Sequence, residues 1–130
     1  MGERAPQRYV GGELVVVVDV RELERAAEFW TRVLGYVRDG KPEQYLSLVP
    51  RDGVGVEILL QQVDDEKLTK NRLHLDLRTS DLSSEVARVR ELGATQLTAT
   101  PIVEHGWTWH VLADPDGNEF CILQPPPQPS

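Results

Sequence analysis

The sequence predicts an α+β fold in which one β-α-β-β-β unit is used twice, the copies related by a pseudo-two-fold around a cup-shaped cleft. Three observations carry this expectation. An apolar strand-like run followed by an amphipathic helical stripe occurs twice, at Leu14 to Leu34 and again at Leu73 to Leu92. The helix stops Leu34-Gly35 and Leu92-Gly93 lie 58 residues apart, and the helix starts Glu22 and Asp81 lie 59 apart. After each helix come three further strand-like segments, the last of each trio fed by a turn sequence, Arg51-Asp-Gly53 or Asp114-Pro-Asp-Gly117.

Each element has its own signal. Leu14-Val-Val-Val-Val-Asp-Val20 is β-branched and nearly all apolar, as a buried strand should be. Leu23, Ala27, Trp30 and Leu34 then recur at three and four residues, one stripe of a helix over 23–34 that Gly35 ends. Residues 36–38, 44–49 and 54–62 complete the first unit as strands. Leu73-His-Leu-Asp-Leu77 alternates with a period of two. Leu82, Val86, Val89 and Leu92 mark a second helix over 82–92, which Ser80 or Asp81 can cap and Gly93 stops. Strands over 95–99, 108–113 and 119–124 follow, for eight in all. The domain is expected over 10–125, with modules at 13–63 and 71–124. The tails 1–9 and 125–130 are expected to be flexible, since the proline density after Gln124 blocks sheet pairing.

Composition bounds the function. A chain of 130 residues that is 40% hydrophobic and 27% charged can bury one core. Fourteen Lys and Arg against 21 Asp and Glu give a net charge of −7, with no basic run. Such a surface repels a phosphate backbone and an anionic bilayer, so neither nucleic acid nor membrane is an expected partner. No apolar signal segment opens the chain, and the expected location is the cytoplasm. The single Cys121 excludes an intrachain disulfide and a multi-cysteine zinc site.

Polar residues inside strands are the candidates for chemistry. His74 and Asp76 share one strand face, and Glu57, Leu59 and Gln61 share another. Glu57 lies four residues beyond Gly53 and Cys121 four beyond Gly117, so they occupy matching positions in the two units; Val15 matches His74. Glu57 and His74 can serve as a catalytic acid–base pair, sharing a hydrogen bond directly or through a water. His105, Trp107 and Trp109, in His105-Gly-Trp-Thr-Trp-His110, suggest the wall of a ligand cavity, to which Asp76, Gln61 and Cys121 would add polar contacts. Of the four matched positions Val15 offers no lone pair, and Cys121 ligates well only as a thiolate. No metal is therefore expected; if one bound, its ligands would be Glu57, His74 and Cys121, and the ion Zn²⁺, Ni²⁺ or Mn²⁺.

The runs Leu23-Glu-Arg-Ala-Ala-Glu-Phe-Trp30 with Leu34-Gly35, Asn71-Arg-Leu-His-Leu-Asp76, Leu92-Gly-Ala94 and Leu112-Ala-Asp-Pro-Asp-Gly-Asn-Glu-Phe-Cys121 resemble the vicinal oxygen chelate superfamily. This is the glyoxalase/bleomycin-resistance/dioxygenase type, and the wording is nearest its glyoxalase-like branch, common among bacterial proteins. The resemblance implies paired βαβββ modules around a cup, a homodimer, and in many members a divalent metal held by the first and last strands of each module. At those positions this chain has His74 and Glu57, but Val15 stands where a histidine or glutamine is usual and Cys121 where a glutamate is. The expected function is accordingly a metal-independent small-molecule-binding protein that holds or sequesters a small, partly aromatic organic ligand. One alternative is a lyase or isomerase using Glu57 and His74, with or without a divalent metal and Cys121. The other is a non-catalytic structural or regulatory protein.

Overall fold

A computed structural model describes residues 13–127. The chain divides into two units between Glu66 and Lys67. In the first, β1 (Val15–Val20) leads into α1 (Leu23–Leu34), followed by β2 (Tyr36–Asp39), β3 (Tyr45–Pro50) and β4 (Glu57–Gln62). They form one sheet of order β1-β4-β3-β2, in which β1 and β4 run parallel and the other pairs antiparallel. Strand alternation sends Val20, Leu46, Leu48, Ile58 and Leu60 to the α1 side, where they are buried with Ala26, Ala27, Phe29, Trp30 and Val33. Phe29 and Trp30 meet edge to face, with ring centroids 5.0 Å apart. Gly35 ends α1 at φ +72°, the left-handed conformation that a helix stop favours.

The second unit repeats the plan. β5 (Leu75–Arg78) and α2 (Leu82–Glu91) are followed by β6 (Thr95–Gln96), β7 (Ile102–Glu104), β8 (Trp107–Ala113) and β9 (Glu119–Gln124). The order is β5-β9-β8-β6, again with first and last strands parallel, and β7 pairs with β8 beyond β6. Leu82, Val86, Val89, Leu112, Phe120 and Ile122 form its core. Asp81 caps α2 by accepting from the Ser84 N–H at 3.2 Å, and the Gln124 side chain accepts from the Leu82 N–H at 2.8 Å. Both units are therefore βαβββ modules, as the sequence repeat predicts.

Several details differ from expectation, among them the strands expected from Val54 and from Leu73, which begin at Glu57 and Leu75. The second unit has a fifth strand, β7, so the described residues hold nine strands and not eight. The expected strand over 95–99 stops at Gln96. Thr98 Oγ1 accepts from the Val111 N–H at 3.1 Å and lies 2.8 Å from His110 Nδ1, so a side chain takes the place of the backbone ladder there. The tail over 1–9 and residues 128–130 lie outside the described residues. Of the described tail, Pro126 sits against Gly106, where an added Cβ would come within 2.9 Å of the Pro126 Cβ. Among the described residues no helix is long and apolar enough to cross a membrane.

Candidate metal centre

The second module's sheet has one face on α2, and the opposite face gathers most of the candidates. Register fixes which side chains stand side by side. β9 pairs Cys121 with Asp76 on one flank and with Val111 on the other. The next row that points the same way is Arg78, Leu123 and Trp109, with Ile102 beyond. His74 lies just before β5, two residues from Asp76, and so shares its face.

This arrangement brings a nitrogen, an oxygen and a sulfur together. Ligand atoms of His74, Asp76 and Cys121 all lie within 4.8 Å of one another. His74 Nε2 is 3.1 Å from Asp76 Oδ1. The His74 and Asp76 side chains are about half exposed, whereas Cys121 is buried. Burial pushes the Cys121 thiol up to about 11; the Asp76 charge adds to this and Lys70 opposes it.

The donor set fits a divalent ion. Imidazole, carboxylate and thiolate are all zinc ligands, and tetrahedral bonds of about 2.0–2.3 Å put neighbouring donors roughly 3.3–3.8 Å apart. The 3.1 Å separation of His74 and Asp76 is already close to that range, and every separation in the cluster is within 4.8 Å. The expectation of a metal-free protein is therefore corrected. It counted donors at positions matched between modules, where Val15 contributes nothing, and gave Asp76 only a ligand contact. Parallel pairing instead sets Asp76 directly beside Cys121, and the strand period adds His74.

Glu57 opens β4 in the first module, where the Ser47 hydroxyl donates to its Oε2 at 2.5 Å. Gln61, on the same face, donates to the Tyr45 hydroxyl at 3.2 Å. His105 is not in a strand: with φ +52° followed by Gly106 at +85°, it forms the two-residue turn between β7 and β8. Trp107 carries the Arg78 guanidinium 5.0 Å from its ring centroid, and Trp109 lies one row nearer the cluster.

Sequence reasoning passed over Arg78 and Glu119. Alternation alone places Arg78 on the His74–Asp76 face and Glu119 on the Cys121 face. Glu119 accepts from the Asn71 backbone N–H at 2.8 Å and lies 3.1 Å from Lys67 Nζ; those interactions hold its carboxyl below the usual range, the Asn71 bond foremost and against a desolvation that raises it. They also tie the segment before His74 to β9.

Comparison with known proteins supports the fold. Residues 15–123 match the profile of the glyoxalase-like domain family. No curated protein matches the sequence. Among solved structures, a glyoxalase/bleomycin resistance protein/dioxygenase family enzyme from Burkholderia phytofirmans is similar with a TM-score of 0.71 at 18% identity, covering 85% of this chain and 95% of that one. The fosfomycin resistance protein of Listeria monocytogenes, complexed with Mn(II) and a sulfate ion, gives 0.72 at 13% identity, covering 90% and 92%. A glyoxalase-related enzyme from Fulvimarina pelagi gives 0.66 at 18%, covering 85% and 87%. With a profile match that spans both βαβββ modules, the chain belongs to the glyoxalase-like domain family, within the vicinal oxygen chelate superfamily.

Proposed function

We propose that this protein is a divalent-metal-dependent enzyme of the glyoxalase type, a lyase or isomerase acting on a small oxygen-bearing organic molecule, with His74, Asp76 and Cys121 as the metal ligands. The observation that supports this reading most directly is the convergence of their three ligand atoms within 4.8 Å. The Mn(II) complex of the Listeria relative is consistent with it. A bound divalent ion supplies Lewis-acid polarisation of a substrate oxygen.

The protein's own contribution is positional. Cys121 is anchored in β9 by the ladder on both sides, so the thiol marks the buried end of the site. His74 and Asp76 approach from the exposed end, which leaves the solvent side open to a substrate oxygen. The Cys121 proton must leave when the thiol ligates, so affinity should rise with pH. Glu57 is proposed separately, on the first module's own geometry, as a carboxylate able to carry a proton, with Ser47 fixing one of its oxygens.

The test is elemental analysis of dialysed protein followed by Zn²⁺ titration calorimetry. Near-stoichiometric binding is expected, weakened at least tenfold in Cys121→Ser and in His74→Ala, with about one proton released per ion at pH 7. Equal Zn²⁺ affinity in wild type and both variants would overturn the assignment.

A further inference from the structure

The same sheet face carries a positive charge at the other end of the row pattern. Arg78 follows Asp76 by two residues on β5, so a rise of about 3.3 Å per residue sets it about 7 Å further along the strand. Its partner is an aromatic ring and not an acid. Arg21, Arg25, Arg32, Arg38 and Arg88 each face a carboxylate; Arg78, like Arg51, Arg72 and Arg90, makes no ion pair among the described residues, and what sets it apart is its seat over the Trp107 ring. In a chain of net charge −7, an exposed strand arginine that has found no acid is a cation held available. The ring limits the motion of the guanidinium by cation–π attraction, and the planar fork retains N–H donors that match two oxygens of an oxyanion. Between this arginine and the His74–Asp76–Cys121 cluster the face is apolar: Leu123 and Trp109 stand in the Arg78 row, and Val111 beside Cys121.

We infer that Arg78, seated on Trp107, is an anion-recognition site that selects substrates with an apolar or aromatic body and a terminal oxyanion, a carboxylate or a phosphonate. The body lies over Trp109 and Leu123, the oxyanion takes the Arg78 donors, and the opposite end of the molecule is directed towards the cluster. The orientation rests on the metal-centre reading above; the anion site itself does not.

The experiment is titration of ¹⁵N-labelled protein with benzoate, phenylphosphonate and the neutral isostere benzamide, following the tryptophan indole N–H signals, in EDTA so that no metal takes part. Benzoate or phenylphosphonate should saturate with shifts at Trp107 and Trp109, and benzamide should bind at least tenfold more weakly. Arg78→Met should weaken the anions at least tenfold and leave benzamide unchanged. If that variant does not fold, Arg78→Lys keeps the charge without the fork and should weaken benzoate severalfold. Benzamide binding as tightly as benzoate, benzoate binding undiminished in whichever variant folds, or no saturable binding of either anion would each overturn the proposal. The metal reading fails independently, in the Zn²⁺ titration, so a protein that takes benzoate but no zinc keeps this site and loses the other.

Discussion

Glu119 shows how one side chain can hold the approach to a site. Its carboxylate joins the Asn71 backbone and Lys67 to β9, and so fixes where the chain enters β5 beside His74. A carboxyl whose pKa is lowered on folding contributes stability that is present above its unfolded value and lost as pH falls through the folded one. Glu119→Gln should therefore destabilise by about 1 kcal/mol at pH 7, and the gap to wild type should narrow as urea unfolding is repeated towards pH 3. Asp76 illustrates what residue-level reading missed. Its type and face were visible in Leu73-His-Leu-Asp-Leu77, but its neighbour on the adjacent strand depends on parallel register, which a single sequence does not encode locally. Trp107 was visible as an aromatic; its arginine was not, because Arg78 reads as the polar end of a strand until the β5–β9–β8 rows are known.

At the scale of elements, the two helices differ in how they begin. α2 has Asp81 accepting from Ser84, whereas Glu22 before α1 makes no side-chain cap bond. Asp81→Ala should cost about 1 kcal/mol, and Glu22→Ser should gain a few tenths to about 1 kcal/mol, both read as shifts in thermal midpoint. Helices were the most legible elements, since a buried stripe closed by Gly35 or Gly93 leaves little choice of boundary. The β6–β7 region was not. Pro101 precedes only three β7 residues, and the interruption after Gln96 depends on Thr98 bonding to a distant strand, an interaction no local pattern announces. The turn at His105 and Gly106 drew attention for its histidine, while its backbone serves the β7–β8 hairpin.

For the molecule as a whole, the repeat was legible because helix stops recur at a fixed interval, and both modules follow the same strand order. Each sheet also ends in strands with one unpaired side, among the described residues β1 and β2 in one and β5, β6 and β7 in the other. Open edges invite pairing, and we propose a homodimer as the state that covers them. Light scattering at micromolar concentration should give twice 14.6 kDa, and a mass near 14.6 kDa would refute it. The parallel pairing of first strand with last carries a further consequence, for the order of events during synthesis. β1 cannot enter its sheet until β4 exists, so each module must close a long loop before that contact contributes anything. On the ribosome the first sheet has all its strands once Gln62 has emerged, while the second is still being made. β5 and the cluster beside it wait for β9. The module whose sheet is complete first is thus the one without the clustered donors, and the donors meet only once β9 has been made.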